Sequence, residues 1–291
     1  MTAGFWDCGR NSLSLARPLV MGIVNITPDS FSDGGQFVEA RAAIAHAEQL
    51  VRDGADILDL GAESSRPGAA SLSVEEELCR LLPVLREAVR LGIPVSVDTT
   101  KPEVMRAGLE AGAAIVNDIN ALRAPGAIEV VASSDCGVCL MHMRGTPQTM
   151  QDDPRYVDVV AEVRSMLLER VALAEQAGIA KERICIDPGF GFGKRTEHNL
   201  ALLRATSGFV ATGYPVLVGV SRKGMIARLT SRMNEPDAAP AQRVVGSVVA
   251  ALYCVQQGAQ VVRVHDVRET VDALAVWREA TAHAGFESGT V

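Results

Sequence analysis

Short apolar, β-branched runs recur eight times along the 291 residues, at 19–24, 57–60, 94–97, 114–116, 138–141, 184–186, 216–220 and 260–264. Between them lie longer stretches with helical periodicity, as at 38–52, 73–91, 102–111, 156–177 and 267–282. That alternation is the pattern of βα units feeding a parallel sheet. Eight units in about 270 residues suit a single closed (β/α)8 barrel, for which roughly 250 residues are typical. A doubly wound open sheet is the alternative, but no G-x-G-x-x-G opens a helix after the first run, and GFGFG at 189–193 has the wrong place and spacing. Local signals agree with the units: Ser73 stands before Glu76 as an N-cap, and Pro102 suits a first helical turn. Residues 231–241 are polar and Pro-bearing, a surface loop that splits the seventh helical region. The expected division is an N-terminal segment (1–17), one barrel domain (18–283) and a tail (284–291).

Charge narrows the function. Twenty-eight Lys and Arg against 35 Asp and Glu give a net charge of −7, the wrong balance for a broad nucleic-acid surface. A local cluster could still hold a small anion. No apolar stretch reaches 18 residues, so no membrane span is expected. The first 20 residues lack the apolar core and cleavage site of a secretion signal, which points to the cytoplasm. Six cysteines are too few for a disulfide scaffold. Cys136 and Cys139 form a C-x-x-C, but in a strand-like apolar run i and i+3 face opposite ways, which argues against a metal or redox role.

Polar residues follow almost every apolar run: Asn25, then Glu63 and Ser64, Asp98, Asn117 and Asp118, His142, Asp187, Ser221 to Lys223, and Arg263 with His265. In a β/α barrel all strand C-termini open on one rim, so these side chains can converge on one pocket. Asp98, Asn117, Asp187 and Lys223 combine carboxylates, an amide and an ammonium, a set suited to a flat heterocycle with an amidine-like edge. Asn25, Arg263 and His265 come from the first and last runs, neighbours once the ring closes. Arginine forks onto phosphate oxygens, imidazolium adds charge, and an amide can hold hydrated Mg2+. Two long loops, 26–35 and 63–69, mix glycine, proline, hydroxyls and charge as lids over an active site do.

These same segments resemble dihydropteroate synthases. MGIVNITPDSFSDGG (21–35) and DLGAESSRPGA (59–69) look like the first two signatures of that family. VSVDTTKPEV (95–104), IVNDINAL (115–122), CLMHMRGTPQTMQ (139–151), IDPGFGFGK (186–194), VGVSRK (218–223) and RVHDV (263–267) continue the match in order. The resemblance implies a transferase that condenses 6-hydroxymethyl-7,8-dihydropterin diphosphate with 4-aminobenzoate, giving 7,8-dihydropteroate and diphosphate for folate synthesis. It implies pterin contacts from Asp98, Asn117, Met141, Asp187, Lys223 and Arg263, and diphosphate contacts from Asn25, Arg263 and His265, with Asn25 helping to hold Mg2+. Aminobenzoate would be framed by Phe31, Ser65, Arg66, Pro67, Phe190 and Gly224, and Asp33 would close over the reacting centre. Asp98, Asp187, Lys223 and Asp33 are the expected catalytic set. Sulfonamides, which mimic aminobenzoate, would compete for its place, and the family implies a homodimer through outer helices.

The chemistry of those groups suggests a dissociative, SN1-like step, in which C–O cleavage precedes attack by the arylamine. Mg2+ and cations neutralise the leaving diphosphate, while carboxylates stabilise the pterin cation. Two departures stand out: Ala62 where the family commonly has Gly, and Gly224 where many members have Ser. A non-catalytic pterin-binding paralogue would not need a diphosphate group. A pterin-dependent methyltransferase would share the pocket without these lid motifs.

Overall fold

The computed structural model describes residues 4–26, 35–64, 68, 71–231 and 237–282. Residues 5–14 form an antiparallel hairpin, β1 (Phe5–Cys8) and β2 (Asn11–Ser14). The eight apolar runs follow as β3 (Leu19–Asn25), β4 (Ile57–Gly61), β5 (Val95–Asp98), β6 (Ile115–Asp118), β7 (Gly137–Met141), β8 (Ile184–Asp187), β9 (Leu217–Val218) and β10 (Val261–Val264). These eight are parallel, each beside its neighbour in sequence, and β10 returns to pair with β3. The ring closes between β8 and β9 through a single bridge, Ile186 to Val216, and a bond from the Ile186 N–H to the Pro215 carbonyl at 2.9 Å. The architecture is the (β/α)8 barrel that the alternation dictates.

The expected seventh strand, 216–220, contracts to two residues. Gln260 explains part of this: its Oε1 accepts the Val216 N–H at 2.9 Å, and its own N–H donates to the Val216 carbonyl at 3.0 Å. A side chain thus supplies what a longer ladder would.

The helices are α1 (Gly35–Arg52), α2 (Val74–Ala88), α3 (Pro102–Glu110), α4 (Ala127–Ala132), α5 (Val159–Gln176), α6 (Thr196–Arg204), α7 (Thr206–Val210), α8 (Gly224–Thr230), α9 (Val244–Gln256) and α10 (Val267–Thr281). The cap on α2 is reciprocal: Ser73 Oγ accepts the Glu76 N–H at 3.2 Å and Glu76 Oε2 accepts the Ser73 N–H at 3.0 Å, a capping box. Pro102 opens α3 at its first turn, where its missing donor costs nothing. Among the described residues no helix is long and apolar enough to cross a membrane.

Strand alternation sorts the core into two populations. Val20, Leu58, Val97, Val116, Leu140, Ile186 and Val262 face the helices in one large cluster. Met21, Ile57, Ile115, Cys139, Cys185, Leu217 and Val261 point into the barrel and pack together with Trp6 and Cys8 of the hairpin. Cys136 and Cys139 fall in different clusters, as their spacing requires. No disulfide forms among the described residues; the six cysteines are free. The hairpin was not foreseen from the sequence. It turns at Gly9, whose φ of 62° favours glycine, and it plugs the N-terminal mouth of the ring. There Trp6 is fully buried and its indole N–H donates to the Arg183 carbonyl at 3.0 Å.

Conserving the ring while removing this plug separates stability from activity. Trp6→Ala should destabilise the barrel by about 3–5 kcal/mol, the usual cost of emptying a buried tryptophan site. Urea unfolding would measure the loss, and KM values taken well below the midpoint should remain those of the parent.

Candidate active site

Two residues beyond the buried apolar layer, the same inward positions become polar. Ile57 gives way to Asp59, Ser96 to Asp98, Ile115 to Asn117, Cys185 to Asp187 and Val261 to Arg263. A cavity opens on this layer at the C-terminal rim, and its lining includes Asp98, Asn117, Met141, Asp187, Lys223 and Arg263. Asp187 and Arg263, on strands two positions apart around the ring, therefore face one space.

Arg263 organises that space. Its Nε donates to Asp59 Oδ2 at 2.6 Å and its Nη2 to Asp98 Oδ2 at 2.7 Å. Asn117 Nδ2 donates to the same Asp59 oxygen at 3.1 Å. Asp59 is fully buried, and its Oδ1 has no hydrogen-bond partner. This carboxylate stands inside the quoted second motif but carried no expected role. Counting by twos inward from Ile57 would have found it.

Burial acts on every charge here. It pushes the Asp98 carboxyl up to about 7, with Asp59 and Asp118 adding to the rise and Arg263 opposing it. It pushes Asp187 up to about 6, although Oδ1 accepts the Gly189 N–H at 2.7 Å. Lys223 is pushed down to about 8 by burial and by Arg263. Burial also works against the Arg263 guanidinium, but Asp59 and Asp98 outweigh it and hold its pKa above the ordinary value.

Aromatic rings complete the wall. Phe190 and Phe192 both line the cavity. Phe190 is packed into the large core cluster, whereas Phe192 sits with Ile119, Met141, Met143 and Met150. The Lys223 ammonium lies 4.1 Å from the centre of the Phe192 ring. Lys223 itself is aimed by Arg222, whose left-handed φ of 57° is secured by three anchors. The Arg222 N–H donates to Ser247 Oγ at 2.8 Å, its guanidinium pairs with Asp266, and its carbonyl accepts from Arg243 at 2.9 Å.

Other strand-end residues do different work. Asp118 turns out of the cavity and accepts the N–H groups of Asn120 and Leu122, each at 2.7 Å. His142 faces Lys194 instead of the cavity. Asn25 is exposed at the end of β3, in register with Gly61. His265 Nδ1 lies 3.0 Å from Ser221 Oγ. Burial together with Arg222 and Arg263 pushes His265 down to about 4, which favours a neutral ring in the free site. Gly224 opens α8 with free space where a Cβ would stand. Phe31, Asp33, Ser65, Arg66 and Pro67 lie outside the described residues. At the root of the second loop, Lys101 pairs with both Glu63 and Glu77.

A larger groove of about 470 Å3 runs along the outer surface between α4 and α5. Its two arginines are committed to backbone carbonyls, Arg170 to residues 121 and 122 and Arg123 to residues 120 and 143.

Comparison with known proteins agrees with this geometry. The family model for pterin-binding enzymes matches residues 21–265. The chain is 52% identical over 283 residues to the dihydropteroate synthase of Neisseria meningitidis serogroup B, covering 95% of this chain and 98% of that one. Among solved structures, Xanthomonas albilineans dihydropteroate synthase with 4-aminobenzoic acid superposes with a TM-score of 0.89 at 52% identity, covering 97% and 99% of the two chains. The Yersinia pestis enzyme in a sulfonamide complex gives 0.88 at 43% identity, covering 95% and 98%. An inward layer of carboxylates, an amide and cations around one cavity, on a barrel matched almost end to end by these enzymes, makes this chain a member of the dihydropteroate synthase family of pterin-binding transferases.

Proposed function

We propose that the rim site condenses 6-hydroxymethyl-7,8-dihydropterin diphosphate with 4-aminobenzoate, releasing diphosphate and 7,8-dihydropteroate, and that it does so by a dissociative step. The observation that carries this reading is the Arg263 fork spanning Asp59 and Asp98, with Asp187 and Lys223 on the same cavity. It sets acceptors for a pterin edge beside a cation for a departing anion. Near-complete alignment with enzymes favours this over a non-catalytic paralogue or a methyltransferase.

In this reading the pterin lies across Met141, its N–H donors on Asp98 and Asp187 and its acceptors on Asn117 and Lys223. Two buried carboxylates with raised pKa values are poised to ionise fully once they receive N–H donors. They then stand close to the ring that carries the positive charge of the transition state, which is electrostatic stabilisation by preorganised groups. Arg263 has spent Nε and one Nη2 hydrogen on carboxylates; the rest of its fork is left for the diphosphate. An anion beside His265 would raise its pKa and draw a proton onto it. Aminobenzoate is a weak base and needs positioning more than deprotonation. Phe192, which lies over Lys223, suits that task better than the more deeply packed Phe190. Gly224, with Ser65, Arg66, Pro67 and Phe31, would frame the carboxylate end, and Asp33 would close the lid. Sulfonamides would occupy the same place as competitors.

The donor set fits a magnesium ion that arrives with the diphosphate. Among the described residues no three His, Cys, Asp or Glu side chains form a metal cage, while Mg2+ characteristically keeps waters and substrate phosphate oxygens and takes few protein ligands. The exposed Asn25 carboxamide would supply one oxygen. When bound, the ion would neutralise charge on the leaving group.

The partner we propose is a second copy of the chain. Val245, Val249 and Tyr253 recur every fourth residue on α9 and are exposed, as is Val276 on α10. That is an apolar stripe of the kind subunit interfaces cover. Sedimentation at micromolar concentration should give twice the chain mass, and a monomer would refute the assignment.

Diphosphate release should require both substrates and Mg2+. Release at the same rate without aminobenzoate would overturn the transferase reading. The dissociative step predicts that 18O placed in the C–O–P bridge scrambles into non-bridging positions when benzoate replaces aminobenzoate. Intact label would mean direct displacement.

Pterin binding should depend on pH in a defined sense. Asp98 is raised to about 7 and Asp187 to about 6, so both gain protons as pH falls. A protonated acid meets the pterin N–H groups donor to donor, and binding must expel that proton. Affinity for 6-hydroxymethylpterin, which carries no phosphate, should therefore weaken roughly 10-fold between pH 8 and pH 6. Calorimetric titration would measure it, Asp98→Asn should flatten most of the slope, and a flat parental profile would contradict the assignment.

A further inference from the structure

Lys194 closes the IDPGFGFGK motif, yet it does not line the cavity and no step above uses it. It is 3% exposed. Its ammonium donates to the carbonyls of Gly189 at 2.8 Å, Phe192 at 3.0 Å and His142 at 3.3 Å, and lies 3.0 Å from His142 Nδ1. Burial and the neighbouring lysine hold His142 down to about 3, so its ring is neutral and Nδ1 offers a lone pair. Four acceptors from two strand-end segments thus converge on one buried donor.

The turn that these bonds seize is unusually close to the end of β7. A Cβ on Gly189 would stand 1.9 Å from the His142 carbonyl oxygen, and one on Gly193 would stand 2.6 Å from that of Arg144. Both have left-handed φ, 70° and 63°. Close approach forces the carbonyls of residues 142, 189 and 192 toward a common interior point. Without a donor there they would be buried and unsatisfied, at about 1–3 kcal/mol each. Further bonds pin the turn from outside: the Gly191 N–H donates to Asn199 Oδ1 at 2.8 Å, and Tyr156 donates to the Gly193 carbonyl at 2.8 Å.

The same turn carries groups that the proposed reaction needs. Its Gly189 N–H fixes Asp187 Oδ1, and its Phe192 ring lies against the Lys223 ammonium. We propose that Lys194 is a positioning residue for the reaction, an internal ammonium that clamps the 189–193 turn onto the end of β7 and so sets where the Asp187 carboxylate and the Phe192 ring stand. The inference rests on the functional reading above for its consequence, though not for its geometry. Burial pushes Lys194 down to about 7 while Asp187 opposes the fall; the ammonium brings three donors to these acceptors and the amine two, so the clamp is complete only in the charged form.

Lys194→Met removes every donor and Lys194→Gln returns two on a shorter arm. Both should keep the barrel fold by circular dichroism. In Lys194→Met, amide exchange at Gly189 and Phe192 should quicken at least 10-fold while β3 to β6 keep their protection. The aminobenzoate KM should rise at least fivefold and kcat fall at least 10-fold. The pterin diphosphate KM should rise as well, because the Asp187 carboxylate is displaced, but by less than the aminobenzoate KM, because Asp98, Asn117, Lys223 and Arg263 remain. Lys194→Gln should fall between parent and Met, and it decides the matter alone if the Met variant fails to fold. A merely structural lysine would lower the melting temperature and leave both constants within twofold of the parent below it; that result overturns the proposal. Unchanged exchange at Gly189 and Phe192 overturns it whatever the activity. Lost protection in a parent that releases no diphosphate would leave the clamp standing and overturn only the functional reading.

Discussion

A guanidinium held across the inside of a closed ring between two carboxylates is the interaction on which the rest of this molecule depends. Arg263 cannot be buried alone, since an unpaired interior charge costs several kcal/mol. Asp59 and Asp98 offset that charge, and Arg263 in turn opposes the rise that burial imposes on the Asp98 carboxyl. The three side chains come from β4, β5 and β10. They can meet only if the first and last strands are brought together, which closure of the barrel achieves by pairing β10 with β3. Closure and charge balance are therefore one requirement seen from two sides.

The balance is incomplete, and its imperfection is informative. Asp59 keeps a buried oxygen without a partner, Asp98 and Asp187 are driven toward protonation, and Lys223 is driven toward losing its proton. A core selected for stability alone would not hold four such groups, because satisfied or apolar side chains serve it better. Strain of this kind clusters where a ligand is to complete the set. Asp98, Asp187 and Lys223 are each displaced in the direction that a bound pterin edge or a departing anion would reverse.

Most of the fold was legible because a parallel strand buried on both faces has few other readings. The eight runs reappear as eight strands, and the helices begin near their caps. The exceptions have local causes. Strand β9 shrinks because Gln260 satisfies Val216 from the side. The hairpin at residues 5–14 escaped because a pair of four-residue strands carries little periodic signal, and what fixes it is the distant contact of Trp6 with Arg183. Within the site, the strand-end residues were readable as a set, since the end of a run marks the rim. Roles were less readable. Asp59 sits inside an apolar run and is found only by counting alternate residues. Phe190 and Phe192 are two apart in a glycine-rich string and look equivalent. Left-handed glycines at 189, 191 and 193 turn the chain between them, so one ring enters the core and the other faces Lys223. Lys194 ends the same string, and no sequence pattern reveals that three backbone carbonyls will converge on it.

Alternation along each strand also divides labour between the two ends of the ring. A step of two residues carries Ile57 to Asp59, Ile115 to Asn117, Cys185 to Asp187 and Val261 to Arg263. Below the step, apolar side chains and the Trp6 plug exclude water. Above it, charges face the cavity with that dry layer as their floor, and a low-dielectric floor strengthens every interaction over it. The apolar layer therefore contributes to chemistry without touching a substrate, because it holds the carboxylates of Asp98 and Asp187 at raised pKa values. The boundary also explains where positioning residues are to be sought. A group that aims a rim side chain has to sit at the level of the step, buried enough to be fixed and close enough to reach the turn above. Arg222, locked by Ser247, Asp266 and Arg243, meets that condition for Lys223, and Lys194 meets it for Asp187 and Phe192.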